Sequence, residues 1–238
     1  DTDPAFKGVK RELTAEDYVY SIKRQWDPKL KAPNLYLLDK RVIGMPELRA
    51  EAIKTGKFDY DREVEGIKAL DRYTFQIRLT EPTPNMLYYL TYCNLSCAMA
   101  REVVEAYGDK IMEHPVGTNA FRLAQWKRSS RMVLEKNPNF RDEFYEATPD
   151  PTDPVSQQIA AKLKGRKLPM VDRVEINIVE ESQPRWLAFL NREHDWLAGI
   201  PPEQRPEGDN AQFIPGYWAW DADRNTSICI SGISRNAP

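Results

Sequence analysis

The side chains best suited to covalent or metal chemistry in this sequence are three cysteines and two histidines: Cys93, Cys97, Cys229, His114 and His194. A cysteine nucleophile needs a base such as histidine within hydrogen-bond reach, and no spacing here selects such a pair. A structural zinc site draws four ligands from closely spaced cysteines and histidines, and this set is too sparse to supply them. We therefore predict no metal site and no cofactor, and keep a hydrolase with an unrecognised Cys/His site as an alternative.

Two of the cysteines are close in sequence. Cys93 and Cys97 are four residues apart, so a helix would place both side chains on one face. Because three is an odd number, at most two cysteines can pair within the chain. We interpret all three as buried or free thiols, with a disulfide or a metal site as the alternative.

The other charged clusters have the character of solvated surface. They are Glu180-Glu181, Asp150 with Asp153, and the basic loop Lys127-Arg128 with Arg131. His194 lies between Glu193 and Asp195, which is typical of a solvated histidine. The sequence contains no GxSxG, HExxH or P-loop motif. These observations favour a protein without catalytic activity.

Length and composition set further limits. The chain has 238 residues, of which 41% are hydrophobic, enough for one large domain or two small ones. Its 34 basic and 36 acidic residues nearly cancel, so there is no electrostatic footprint for nucleic acid. No apolar run approaches the roughly 20 residues that cross a bilayer, and no basic-then-apolar signal peptide is visible.

The first half of the chain predicts helices followed by a hairpin. A helix begins after Thr14, with Asp17 completing a capping box, and it ends at Asp27-Pro28. A second helix covers residues 45–55, with Leu48, Ala52 and Ile53 inward and Gly56 as its stop. Residues 64–79 predict a hairpin, since apolar and polar residues alternate strictly over 73–79.

The centre of the chain, residues 116–140, predicts a β-hairpin with a polar tip. Strand-like runs cover residues 121–126 and 131–135, and a basic loop separates them. Asn137-Pro138-Asn139 ends the second run, because proline cannot donate to a strand ladder. The small, polar turn Gly117-Thr118-Asn119 precedes the first run.

The second half predicts a linker, a strand and a helix. Residues 141–154 form the linker, 157–163 a short helix, 171–180 an alternating strand and 185–192 a helix with apolar Trp186, Leu187, Phe189 and Leu190. Residues 195–199 form a candidate short strand, and residues 203–238 predict no element. The order of elements is typical of a mixed α/β protein, with mixed sheets and flanking helices.

Four segments, in this order and spacing, resemble the bacterial family 5 extracellular solute-binding proteins, the dipeptide- and oligopeptide-type binding proteins of ABC importers. They are LTAEDYVYSIKR (13–24), VEGIKALDRYTFQIRLTEPTP (64–84), HPVGTNAFRLAQWKRSSRMVLEKNPNF (114–140) and MVDRVEINIVEESQPRWLAFLNREHDW (170–196). The resemblance covers about residues 11–201 and implies a partial type II periplasmic-binding-protein fold. It divides the chain into 1–115, a small helix-plus-hairpin lobe region, 116–201, part of the main α/β lobe, and 202–238, an unplaced tail or the start of a missing second lobe.

The sequence departs from the family at the central turns. Relatives read Gly-Thr-Gly-Pro-Phe where this chain has residues 117–121, and we expect Asn119 to adopt the left-handed geometry that a glycine serves. Ser129-Ser130 replaces the family's Gly-Asp or Gly-Asn turn. Family members are also substantially longer, so the chain resembles an internal fragment.

The resemblance implies a physical mechanism in which two lobes close on a solute and a membrane permease recognises the closed form. It implies a peptide-like small solute, an ABC permease in the inner membrane as the partner, and a periplasmic or membrane-associated extracellular location. The candidate ligand-binding residues are Gly117, Thr118, Asn119, Tyr92, Cys93 and Asn94. A fragment with weak or no solute affinity, whose exposed apolar lobe face promotes self-association, is a further alternative.

Overall fold

The structure is a computed structural model that describes residues 3–197. It is built from helices and strands in mixed order, which confirms the predicted mixed α/β class. In chain order these elements are α1 (Ala15–Lys23), α2 (Met45–Thr55), β1 (Ile67–Ala69), β2 (Phe75–Ile77), α3 (Met86–Leu90), α4 (Cys93–Ser96), α5 (Arg101–Tyr107), β3 (Phe121–Lys127), β4 (Arg131–Lys136), α6 (Pro154–Leu163), β5 (Arg173–Asn177) and α7 (Ser182–Leu190). Short 3-10 turns occur at Pro4–Phe6, Arg24–Trp26, Leu35–Leu37 and Gly108–Glu113.

The chain divides into two compact units. Of the described residues, unit 1 consists of 3–123 with 136–141, and unit 2 consists of 124–135 with 142–197. The division predicted at 115/116, from the expected lobes, remains a prediction. The tail predicted from 202, the aromatic residues within it and Cys229 lie outside the described residues.

Helix α1 begins as its sequence predicts. The backbone N–H of Thr14 donates to the Asp17 carboxylate at 2.7 Å, which satisfies one of the free donors of a helix start. Val19, Ile22 and Trp26 are buried in the hydrophobic core. The helix tightens into the 3-10 turn at Arg24–Trp26 before Asp27-Pro28.

Helix α2 also matches its predicted bounds. Gly56 follows it with φ +73°, the left-handed conformation in which glycine commonly stops a helix. Leu48 and Ala52 are buried, as predicted. Ile53 is 62% exposed, so its predicted inward position is wrong. The neighbouring Ala52 faces the core, and the residue after it turns about 100° away to solvent.

The first hairpin forms, but its ladder is shorter than residues 64–79. β1 and β2 are antiparallel, with Ile67 opposite Ile77 and Ala69 opposite Phe75. The first residues of the predicted second strand belong instead to the turn, where Leu70 N donates to Thr74 O at 2.8 Å. Tyr73 lies on this turn and is exposed, although its alternation predicted the buried face.

Gly66 lies where two backbone segments approach each other. A Cβ at this position would lie 2.6 Å from the backbone nitrogen of Ile43 and closer still to its carbonyl oxygen. The carbonyl of Gly66 accepts from Arg78 N at 2.8 Å, and Ile43 N donates to Arg78 O at 3.2 Å. The segment before α2 is therefore held against the hairpin by direct backbone contact.

The helices and hairpin of unit 1 enclose one continuous hydrophobic core. Its buried members come from α1, α2, β1, α3, α4 and the segments between them: Val19, Ile22, Trp26, Leu38, Val42, Met45, Leu48, Ala52, Phe58, Val64, Ile67, Met86 and Leu95. Phe75, Ile77 and Leu79 pack on this core from β2 and the residues after it. Full burial of one large apolar side chain contributes about 1.5–3 kcal/mol, so this set dominates the stability of unit 1.

The central hairpin is confirmed and continues into a three-stranded sheet. The strand order is β3-β4-β5, and β4 pairs antiparallel with β5, with Arg131 opposite Asn177. Ser129 at the tip has φ +52°, and Ser130 N donates to Lys127 O at 3.1 Å. Ser129 therefore supplies the left-handed residue that this turn needs.

The described part of unit 2 buries few large apolar side chains. Trp186, Phe189 and Leu197 form a small buried cluster, and Val133 is buried in β4. Three apolar residues of β5 and α7 are exposed: Ile176, Leu187 and Leu190. β5 is also shorter than residues 171–180, and residues 195–197 form no strand.

Helix α6 begins three residues earlier than predicted. The Asp153 carboxylate accepts from Val155 N at 3.0 Å and Ser156 N at 3.2 Å, which is an N-cap, and Pro154 occupies the first helical position. Asp153 therefore has a local structural role beyond surface charge. Among the helices within residues 3–197, none combines the length and apolar character required to cross a membrane.

Candidate functional site

The predicted turn Gly117-Thr118-Asn119 lies between the 3-10 turn at Gly108–Glu113 and β3, and all three residues are exposed. A Cβ at Gly117 would meet no atom within 4 Å, so the backbone here is open to a ligand. The turn is tied to the end of the hairpin, because Asn137 Nδ2 donates to Asn119 O at 2.9 Å and Asn137 N donates to Ala120 O at 2.8 Å.

The expected left-handed geometry of Asn119 is wrong. Its φ is not positive, and its side chain stabilises the turn instead by accepting from Ala120 N at 2.7 Å. The short side-chain amide thus satisfies a backbone donor locally, which is a common use of asparagine in turns. The turn persists for a different reason from the one that the sequence suggested.

The second candidate segment, Tyr92-Cys93-Asn94, forms the start of α4 and is exposed. The Asn94 carbonyl accepts from Gln25 Nε2 at 2.8 Å, which fixes the short helix beside the end of α1. Tyr92 presents an exposed phenol ring. This segment therefore offers aromatic and backbone groups to a binding partner.

Cys93 and Cys97 form a disulfide with a Cα–Cα distance of 4.6 Å. Our interpretation of these two cysteines as thiols is therefore wrong. They are on one face of the turn, as their spacing predicts, and that proximity lets the two sulfurs bond. Because neither sulfur is a thiol, neither can serve as the nucleophile of a hydrolase or as a thiolate ligand.

Both histidines have local contacts. The His114 ring stacks on Tyr107 with ring centroids 3.7 Å apart, and Tyr107 OH donates to the Asp3 carboxylate at 3.1 Å. His194 Nδ1 lies 3.1 Å from the carbonyl oxygen of Glu193. Within residues 3–197, no group of three or more His, Cys, Asp or Glu side chains is arranged to hold a metal ion.

The candidate residues form two separate exposed segments of unit 1. In the described part of the chain, no hydrogen bond, ion pair or disulfide joins residues 92–94 to residues 117–119. Two cavities of about 750 and 760 Å³ in unit 1 are lined by other residues.

Ion pairs line the cavity of about 760 Å³. Arg11 lies 2.5 Å from the Asp17 carboxylate and 2.5 Å from Glu102, and its hydrogen bond lowers the pKa of Glu102. Arg101 pairs with Glu105 at 2.6 Å and with Asp61. Lys23 of α1 is buried in this region, and sequence reasoning missed it because a single lysine in a helix leaves no local pattern.

Comparison with known proteins gives one family match. The model described as "Bacterial extracellular solute-binding proteins, family 5 Middle" matches residues 9–227. That range includes all four of the segments on which the resemblance was based, and both candidate binding segments.

Individual relatives cover shorter stretches. The periplasmic oligopeptide-binding protein OppA of Salmonella typhimurium is 33% identical over 133 residues, which are 55% of this chain and 23% of that protein. The probable deoxycholate-binding periplasmic protein YgiS of Escherichia coli is 33% identical over 132 residues, again 55% and 23%. The chain thus spans about a quarter of the length of these relatives.

Solved structures share the fold. The structure of Haemophilus influenzae OppA in complex with the peptide RPPGFSPFR has a TM-score of 0.57 and 24% identity, and the match covers 81% of this chain and 32% of that one. At 24% identity, this similarity establishes a shared fold. It confirms the expected partial periplasmic-binding-protein architecture.

Proposed function

This chain belongs to the bacterial extracellular solute-binding proteins of family 5, and from that membership we propose that it is part of the non-catalytic solute-binding component of an ABC importer. The family match over residues 9–227 carries the proposal. The disulfide supports it against the hydrolase alternative, because it removes the two thiols that such a site would have used. We do not propose nucleic acid as a partner, because the basic and acidic residues nearly balance.

The proposed solute is a peptide or a similar small molecule. One relative is named for oligopeptides and another for deoxycholate, so family membership alone leaves the solute class open. The exposed backbone of Gly117 and Thr118 favours peptide, since exposed N–H and C=O groups suit a peptide main chain. Tyr92 would add aromatic contact area from the second segment.

The proposed location is the periplasm or the outer face of a membrane. A disulfide such as Cys93–Cys97 persists in oxidising compartments and is rare in the cytosol, which supports an extracytoplasmic site. The proposed partner is an ABC permease that recognises the solute-loaded form. Solute binding would stabilise a closed state by the contacts that only this state makes.

Calorimetric titration of the full-length gene product tests this function, with the nonapeptide RPPGFSPFR and deoxycholate as probes. We expect the peptide to bind, and Gly117→Val to weaken it at least tenfold, because a branched side chain would cover the open backbone. Asn139→Ala, at an exposed position in the neighbouring segment, is the matched control and should bind as the wild type does.

Two results would contradict the proposal. One is the absence of binding heat across peptide, bile-acid, amine and metal-chelate panels. The other is hydrolysis of the peptide during the titration, since a capture protein releases its solute unchanged. Tight deoxycholate binding without peptide binding would retain the transport role and replace the proposed solute.

A further inference from the structure

The Cys93–Cys97 disulfide lies on the surface of unit 1. Both cysteines are exposed, so a thiol in solution can approach the bond. Thiol–disulfide exchange begins when a thiolate attacks one sulfur of the bond, and its rate depends on access to that sulfur. Exposed disulfides are typically the labile or regulatory ones, whereas shielded disulfides resist reduction. This position therefore makes the bond a candidate for reversible reduction in the folded protein.

The disulfide closes the shortest α-helix of the described residues. Helix α4 has four residues. An isolated helix of fewer than about 12 residues is marginal in water, because nucleation costs more than a single turn returns. The hydrogen bond from Cys97 N to Cys93 O, 3.0 Å long, joins the same two residues as the disulfide. The disulfide therefore holds together the two ends of the turn that this hydrogen bond closes.

The inner side of α4 is anchored independently of the disulfide. Leu95 is 2% exposed and belongs to the core of unit 1. Ser96 Oγ donates to Leu90 O at 2.7 Å, and Gln25 Nε2 donates to Asn94 O at 2.8 Å. Loss of the disulfide would therefore loosen the outer side of the turn without removing a residue from the core.

Two residues of the second candidate segment, Tyr92 and Asn94, are the chain neighbours of Cys93, and both are exposed. Tyr92 O accepts from Leu95 N at 2.9 Å and from Ser96 N at 3.1 Å, which are the first hydrogen bonds of the turn. A change in the order of α4 therefore acts directly on the groups that this segment presents.

We propose that the Cys93–Cys97 disulfide is a redox-sensitive site that a dithiol reduces in the folded protein, and that its reduction loosens α4 and weakens solute binding by residues 92–94. The effect on solute binding rests on the proposed function. The reduction itself rests on the exposure of the bond and on the short helix that it closes.

The reaction is an exchange of two electrons and two protons. One thiolate of the dithiol attacks one sulfur of the protein disulfide, and the other cysteine leaves as a thiolate. The second thiolate of the dithiol then attacks the reductant sulfur of the mixed disulfide, which releases the remaining cysteine thiolate. The two cysteines take up two protons and become thiols, while the dithiol is oxidised to a disulfide.

The geometry favours a dithiol over a monothiol as the reductant. The Cα atoms of Cys93 and Cys97 are 4.6 Å apart, so the freed cysteine stays beside the mixed disulfide. From there it displaces a monothiol and restores the original bond. A dithiol avoids this return, because its own second thiol completes the exchange within one molecule.

Thiol counting in the native full-length gene product tests the reduction. After treatment with dithiothreitol and removal of the reagent, the wild type should contain two more thiols than its untreated form and two more than the variant Cys93→Ser combined with Cys97→Ser. 2-Mercaptoethanol at the same thiol concentration should release about tenfold fewer. No gain of thiols in the native wild type would overturn the proposal, and equal release by both reagents would overturn the dithiol assignment.

Amide hydrogen exchange read by mass spectrometry tests the loosening of α4. Reduction should lower protection about tenfold in residues 91–98 and leave α1 and α2 unchanged. Unchanged protection in residues 91–98 would overturn the proposal. Thiols that appear only together with loss of protection in α1 and α2 would overturn it as well, because the core of unit 1 would then have opened first.

Calorimetric titration with the nonapeptide RPPGFSPFR tests the effect on solute binding. The reduced full-length protein should bind about fivefold more weakly than the oxidised protein. The double serine variant should bind as the reduced wild type does, with or without dithiothreitol, and Cys229→Ser should retain the response to the reductant. Equal affinity of the oxidised and reduced wild type would overturn the proposed control of solute binding.

These measurements separate the redox site from the transport function. Binding of the nonapeptide to the oxidised protein supports the transport function whatever reduction does to it. Failure of the oxidised protein to bind counts against the transport function, and the thiol counts and hydrogen exchange still decide whether the disulfide is a redox-sensitive site.

Discussion

Unit 1 and the described part of unit 2 differ in the size of their buried apolar clusters. Unit 1 has a continuous core that draws on two long helices, a hairpin and two short helices. In its described residues, unit 2 has most of a three-stranded sheet and two helices, with a buried cluster of Trp186, Phe189 and Leu197. Both units follow the same sequence rules for forming elements, so the difference arises when the elements pack.

The comparison shows that correct secondary structure does not by itself produce a core. Unit 2 leaves large apolar side chains exposed on its strand, its helix and the segments beside them: Val171, Ile176, Leu187, Leu190 and Trp196. Exposed apolar side chains of this kind become stabilising only when another surface covers them. Within the described residues, the buried core of unit 1 is therefore the larger of the two.

Truncation of the core of each unit should give the largest effects. Trp26 and Phe189 are both 0% exposed, so Trp26→Ala and Phe189→Ala should each cost about 3–5 kcal/mol of unfolding free energy. If the units are independent, Trp26→Ala lowers protection in α1 and α2, and Phe189→Ala lowers it in α7 and the sheet. Amide hydrogen exchange read by mass spectrometry measures each region separately.

Leu187→Ala is the matched control for unit 2, because Leu187 lies on the same helix as Phe189 but is 51% exposed. Its cost should stay within about 0.5 kcal/mol, as for most surface substitutions. If Phe189→Ala lowered protection in α1 and α2 as much as in α7, the two units would form one cooperative structure. The two buried clusters would then not be independent of each other.

Local signals in the sequence account for most of the elements. Thr14 with Asp17, Gly56, and the alternation within 121–135 each act within a few residues, so they predict helix starts, helix stops and the hairpin. Burial is harder to predict, because it depends on which distant segment covers a side chain. Ile53, Leu187 and Leu190 all have core-like sequence patterns, yet the structure leaves them exposed.

The position of the candidate site along the chain could be predicted from the sequence, but its geometry could not. The sequence placed residues 117–119 in a turn before a strand, and the structure has them there. It did not reveal that Asn137 holds this turn, because the partners are 18 residues apart. Nor did it decide between thiols and a disulfide at Cys93 and Cys97, since the same spacing permits both.

Removal of the disulfide should have a smaller effect, confined to unit 1. The Cys93–Cys97 bond closes a short loop, for which the chain-entropy estimate is about 2 kcal/mol. Cys93→Ser combined with Cys97→Ser should therefore destabilise α4 and its neighbours without changing protection in α7. Hydrogen exchange with and without a reductant measures this difference.

The double serine variant provides its own control, because a reductant should destabilise the wild type and leave the variant unchanged. Thiol titration of the denatured, unreduced wild-type chain should detect one thiol, from Cys229. Detection of three thiols in protein from an oxidising compartment would contradict the disulfide.

Acidification should produce the smallest effect, again in unit 1. Arg11 lowers the pKa of Glu102, so the folded chain binds this proton less readily than the unfolded chain does. The pair therefore stabilises the fold above the ordinary pKa of glutamate, about 4.3, and the contribution disappears as the pH falls through the lower folded value. Because Glu102 is 39% exposed, we expect under about 1 kcal/mol.

Denaturant melts of Glu102→Gln and the wild type between pH 7 and pH 3 measure this contribution. The two curves should differ most at neutral pH and converge in acid. Glu146→Gln, at an exposed position of unit 2, is the control and should follow the wild type throughout. A gap that widens in acid would show that the pair does not stabilise the ionised carboxylate.

The backbone contact at Gly66 has a consequence for how unit 1 tolerates change. Even a methyl group at this position would clash with the backbone, because its carbon would occupy the space of the Ile43 peptide. Relief would require the hairpin and the segment before α2 to separate, which would open the core from one edge. Unit 1 thus depends on a residue that contributes no side chain at all.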